Sequence, residues 1–158
     1  MRLPRWIAPA AVGAVLAVQP VLHRLDPERD FLVFGLFDWI GHLATGVVLI
    51  AALRPSSATA IGILLGSVLI DLDHIPGQLG TDILTAAAPR PYTHSLLTLI
   101  VVLALARLRR SELLLGAAIG LAGHLVRDLG GGDAVLFWPV SWSEQSVPFA
   151  VYVSLRTR

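Results

Sequence analysis

The stretch Ile70-Asp71-Leu72-Asp73-His74-Ile75-Pro76 sets two carboxylates and an imidazole at the end of a run that is apolar from Ala58 to Ile70. Ionisable side chains are costly in an apolar, membrane-like segment and mark function by default. Each of these three offers a lone pair to a cation. Similar pairs recur along the chain. Asp38 and His42 are four residues apart, as are His124 and Asp128, so each pair shares a helix face. Asp71 and His74 are three apart, and His94 adds a further imidazole. Facing helices that supply inward carboxylates and imidazoles build metal centres in bundle cores. The candidate metal ligands are therefore His42, Asp71, Asp73, His74, His94, His124 and Asp128. Such donors suit zinc first, with manganese, iron or magnesium as the other candidates. A catalytic centre of this kind activates water. Asp38, or a carboxylate left unligated such as Asp73, would serve as general base. Asp38 can equally be read as a ligand or as the buried partner of an arginine, and Asp128 as a partner of Arg127 or Arg90.

The motif Arg90-Pro91-Tyr92-Thr93-His94-Ser95 places a cation near these donors. Arg90 would stabilise developing negative charge, or else anchor the chain at an interface or pair with Asp73. Thr93 or Ser95 would cap the following helix and help orient His94. Trp138-Pro139 and Trp142 read as a membrane-interface cluster or as a wall of the site. Asp82, Asp133, Glu144 and His23 read as solvated loop residues.

The elements that carry these residues are apolar segments. Of 158 residues, 55% are hydrophobic and 15% charged, and the mean hydropathy is +0.73. Soluble domains are about 45–50% apolar, so the expectation is one polytopic, all-α membrane domain over 1–158. Segments are expected at about 6–22, 31–53, 58–75, 94–108 and 113–129. The tail, 134–158, adds either an interfacial piece or a sixth helix, which makes a bundle of five or six transmembrane helices. The basic, apolar N-terminus reads as an uncleaved first helix rather than a signal peptide. The triglycine Gly130–Gly132 reads as a helix stop. With no cysteine in the chain, a thiolate site and a disulfide framework are both excluded. A net charge of +1 says nothing about nucleic acid, and the longest basic run, Arg107-Leu108-Arg109-Arg110, reads as a helix-end anchor, so no nucleic-acid partner is expected.

Arginine placement favours a cytoplasmic N-terminus, since Arg2, Arg5, Arg54, Arg107, Arg109 and Arg110 then lie inside. In that orientation every unusual acid and histidine falls in the outer half of the membrane. Flipping the topology moves the cluster to the other half and leaves the convergence intact.

Gly41-His42, Asp71-Leu72-Asp73-His74, Arg90 to Ser95, His124-Leu125-Val126-Arg127-Asp128 and Trp138-Pro139 follow one another in an order that resembles the YdjM-like family. These are inner-membrane-associated, LexA-binding proteins assigned metal-dependent hydrolase chemistry. The resemblance spans about 38–139. Ile70 and Pro91 stand where the family pattern has Pro and Gly, which bears on backbone geometry more than on ligand chemistry. The resemblance implies a multi-pass bacterial inner-membrane protein with a divalent metal and hydrolase activity.

The expected function is metal-dependent cleavage of an ester or phosphoester in a lipid or lipid-linked substrate at the extracytoplasmic side. The alternatives are a metal-binding or metal-moving protein without hydrolysis, and a structural or assembly protein that joins a protein partner in the membrane and is clamped by a metal. Transport is disfavoured because the inner halves of the segments carry no acid or histidine.

Overall fold

The computed structural model describes residues 4, 6–22, 24–25, 31–78, 80–81, 83–84, 91–131, 135–143 and 145. Among these the chain is all-helical. It forms α1 (Ile7–Leu22), α2 (Phe31–Leu53), α3 (Ser57–Val68), a 3₁₀ segment (Leu69–Asp73), the short α4 (His74–Gln78), α5 (Leu96–Arg109) and α6 (Glu112–Gly131). Three stretches are long and apolar enough to cross a membrane: Leu32–Leu53, Ser57–Pro76 and Glu112–Gly130. Only 33%, 33% and 50% of these windows is buried inside the bundle. Leu32, Leu36, Ile61, Leu65 and Ile100 all point outward. Helices that are apolar on both faces need an apolar surrounding as well as a core. At 16 and 14 residues, α1 and α5 fall short of the roughly 20 needed to span. The segment expected at 134–158 lies largely outside the described residues, as do Arg90, His23, Asp82, Asp133 and Glu144.

The central pair is α3 and α6, which run parallel. Ser56 caps α3 by accepting from the Thr59 N–H, and its hydroxyl also donates to Glu112 at the start of α6, at 2.5 Å. The two N-termini are thereby tied together. Gly62 and Gly66 on α3, and Gly116 and Gly120 on α6, then let the backbones touch. A Cβ at Gly116 would strike the Thr59 carbonyl oxygen, and one at Gly120 the Ile63 oxygen. A Cβ at Gly62 would strike the Leu113 oxygen, and one at Gly66 the Ala117 oxygen. Small residues spaced by four allow this approach in lipid-embedded helices.

Around this pair, α2 packs through Ile50 against Ala60 and Ile63. α1 lies on α2 through Ala11, Val15 and Ala44. Leu121, Leu125 and Leu136 close the far side with Leu99 and Val102 of α5. Val135 to Val140 form a turn whose Leu136 carbonyl accepts from the Leu96 N–H at 3.0 Å. Trp138 of this turn stacks on Tyr92, with ring centroids 4.7 Å apart.

Several boundaries differ from the sequence reading. The expected single helix 58–75 is α-helical only to Val68 and then tightens to 3₁₀. The fourth helix starts at Leu96 rather than His94, because Ser95 is in an extended conformation and caps it through Thr98 N–H. α6 runs to Gly131, so glycine there permits a stop without imposing one.

Replacing Gly120 with Ala puts a methyl against the backbone of α3. Overpacking of this kind costs about 1–3 kcal/mol or more. Gly13→Ala, where nothing lies within 4 Å, should cost nothing and gains helix propensity. Thermal unfolding in detergent should therefore show a clear loss for Gly120→Ala and none for Gly13→Ala.

Candidate metal centre

The α3–α6 register carries directly into the polar cluster. Thr59 faces Gly116 and Ile63 faces Gly120, and Ser67 then meets His124, a separation of 57 residues in each case. The same offset at the next turn sets Asp71 opposite Asp128. The 3₁₀ segment starts just after Ser67–Val68, where the last α-helical carbonyls lack partners of their own. The Ser67 carbonyl accepts from His124 Nδ1 at 2.9 Å. His94 enters from the residue before the Ser95 cap of α5, and α2 contributes His42, whose ring stacks on His124 with centroids 3.6 Å apart.

Four atoms converge where these elements meet. His94 Nε2 and His124 Nε2 are 3.2 Å apart. Asp71 Oδ1 is 3.3 Å from each of them. Asp128 Oδ2 is 3.1 Å from His124 Nε2 and 3.8 Å from His94 Nε2. A tetrahedral ion with bonds of 2.0–2.1 Å sets its ligands about 3.3–3.4 Å apart. His42, His94 and His124 are all 0% exposed.

Proton positions sharpen the fit. The Ser67 carbonyl can only accept, so His124 carries its proton on Nδ1. His94 Nδ1 lies 3.1 Å from the Asp73 carboxylate, which also only accepts when ionised. As neutral imidazoles, both rings then turn an Nε2 lone pair to the centre, beside two carboxylate oxygens. In that state four acceptors meet with no donor among them, and a cation at the centre would satisfy all four. A carboxylate on the remote nitrogen of a ligating histidine fixes its tautomer and raises its basicity. Asp73 is so placed for His94, and Thr93 in turn donates to the same Asp73 oxygen.

The other expected site residues take distinct places. His42 belongs to a three-donor group with Asp71 and His124. Its Nε2, however, is 2.8 Å from Arg127 Nη1 and 3.2 Å from Asp128 Oδ1. His74 sits at the rim, with its side chain 24% exposed and Nε2 3.9 Å from Asp73 Oδ1. Asp38 pairs with Arg127, at 2.5 Å. Arg127 thus binds Asp38 and His42 rather than Asp128. Ser95 is a helix cap and makes its hydrogen bonds to Thr98.

Arg127 is the residue whose importance the sequence reading missed. It is buried, and its guanidinium lies against Gly41, where a Cβ would collide with it. The available signal was its position three residues after His124, on the same helix face, in an apolar helix.

Fold and cluster together define a helical membrane protein with buried His and Asp groups able to hold a metal ion. The model of the YdjM inner membrane protein family matches residues 37–157, and the chain belongs to that family. No curated protein and no solved structure matches it.

Removing one member of a buried ion pair costs about 3–5 kcal/mol because the other charge is stranded. Asp38 keeps some exposure, so the lower end applies to Arg127→Met. Asp38→Asn combined with Arg127→Met should recover part of the loss, and a double-mutant cycle on thermal stability measures the coupling.

Proposed function

We propose that the chain is a membrane-embedded, metal-dependent hydrolase whose ion is held by His94, His124, Asp71 and Asp128. The observation that supports this most is the meeting of four buried lone-pair atoms while both Nδ1 protons are committed elsewhere. The donor set suits zinc, with manganese and iron next. A divalent ion held there supplies Lewis acidity and lowers the pKa of a bound water.

The protein's own residues then have defined tasks. Asp73 orients His94, and the Ser67 carbonyl orients His124. Asp38 neutralises Arg127, and Arg127 holds the His42 ring beside Asp128. In the reaction a water oxygen bonds to the phosphorus or carbonyl carbon of the substrate. The ester bond to the leaving alcohol breaks, and that alcohol takes up the proton the water gives up. His74 at the rim follows the end of α3 and His94 precedes the start of α5, which supports a mouth near one membrane surface. This favours a lipid or lipid-linked ester or phosphoester. With the N-terminus in the cytoplasm, that surface is the extracytoplasmic one.

A second reading is favoured by the donor count. Four protein ligands close a tetrahedral ion, as structural zinc sites do, whereas catalytic sites keep a position open. On that reading the metal clamps α3, α5 and α6 without chemistry.

The test is metal analysis of detergent-purified protein, coupled to hydrolysis of phospholipid esters and lipid phosphoesters. Hydrolysis that is lost on chelation, restored by zinc or manganese, and absent together with the metal in His124→Ala is the expected result. Bound metal with no hydrolysis under any divalent ion would leave only the clamp. Protein that binds no divalent ion defeats both readings.

A further inference from the structure

We infer that a second divalent cation binds beside the first, held by Asp71 Oδ2, Asp73 Oδ1 and His74 Nε2, with Asp71 bridging the two ions. This rests on the four-donor centre proposed above and adds the open coordination site which that centre lacks.

Two carboxylate oxygens carry the argument. Asp71 Oδ2 and Asp73 Oδ1 are buried and have no hydrogen-bond partner among the described residues. The two side chains are only 6% and 9% exposed. Both residues use their other oxygen: Asp71 Oδ1 faces His94 and His124, and Asp73 Oδ2 accepts from His94 Nδ1 and Thr93. A buried carboxylate oxygen with no donor is strongly penalised. Two of them on one 3₁₀ turn call for a positive charge.

His74 supplies the third donor. Its Nε2 is 3.9 Å from Asp73 Oδ1, a separation that two ligands of one ion at about 2.0–2.2 Å can share. Donor atoms of Asp71, His74 and His94 also lie within 4.8 Å of one another. In 3₁₀ winding, residues three apart eclipse, so Asp71 and His74 stay on one side of the segment.

Charge balance agrees. Among the described residues, Arg127 offsets Asp38, and one divalent ion offsets Asp71 and Asp128. The charge of Asp73 is left over. The two centres also differ in access. The imidazoles of the first are sealed, whereas His74 at the rim is partly exposed. Three protein donors at a solvent-facing rim leave room for water or a substrate oxygen, as catalytic sites do. Paired ions bridged in this way are a recurrent hydrolase arrangement. The carboxylate-rich donor set suits manganese or zinc.

The experiment is a titration of metal-free, detergent-solubilised full chain with Mn²⁺ and with Zn²⁺, read by bound metal per chain and, for Mn²⁺, by electron paramagnetic resonance. The wild type should bind about two ions, and the Mn²⁺ form should give an exchange-coupled signal. His74→Ala and Asp73→Asn should each bind about one ion and give the signal of an isolated Mn²⁺. The spectrum of the wild type tests the pair even if a variant fails to fold. One ion in the wild type with an uncoupled spectrum overturns the second site and leaves the four-donor centre standing. No ion in the wild type overturns both.

Discussion

Four glycines, Gly62 and Gly66 on α3 and Gly116 and Gly120 on α6, let two helix backbones meet with no side chain between them. Backbone contact fixes register more tightly than side-chain packing, because carbonyl oxygens cannot adopt another rotamer. The offset it imposes repeats at every fourth residue, from Thr59–Gly116 to Ser67–His124. Beyond it, Asp71 and Asp128 both reach His124 Nε2, at 3.3 and 3.1 Å. The acids are therefore held by the stiffest joint in the bundle. A shift by one residue would rotate Asp71 about 100° away from α6.

The parallel direction of this pair matters as much as its register. Antiparallel neighbours would place the end of one helix beside the start of the other, and Asp71 would lie far from Asp128. The crossing by α5 allows α3 and α6 to run the same way, and it brings His94 to the same end. α2 runs opposite to α6, so Asp38 and His42, early in α2, meet Arg127, Asp128 and His124, late in α6. α3 and α5 reach the cluster with their ends, where unpaired backbone groups and side-chain caps are in any case expected, whereas α2 reaches it with His42 from mid-helix.

Much of this was legible in the sequence. Donor types and their spacing of three or four residues marked the candidate ligands, since only a shared helix face makes such spacing useful. Alternating spans marked their common depth. The pairings were not legible. Asp71 and Asp73 looked separable by helix face, yet the change to 3₁₀ winding after Val68 turns both toward His94. Arg127 read only as a partner for Asp128, because nothing local in the sequence shows that Gly41 leaves space for its guanidinium. The glycine spacing on α3 and α6 was visible, but its meaning depends on which two helices touch.

The physical medium explains why the cluster is so thoroughly cross-linked. Where water is scarce, each ionised group must find its counter-charge within the protein. Arg127 does this for Asp38 and at the same time points a donor at His42 Nε2, which leaves the His42 ring to stack on His124. That stack presses the His124 ring from one side while the Ser67 carbonyl holds its Nδ1. Of the two Nε2 atoms at the centre, one is thus aimed from α2 and α3, and the other from Asp73 and Thr93. Neither ring can turn its Nε2 away without breaking a hydrogen bond to a different segment, so the fold itself aims both nitrogens at one point. Preorganisation of this kind lowers the cost of binding a cation, and it also explains why the donors are aimed even though the imidazoles repel one another as paired lone pairs.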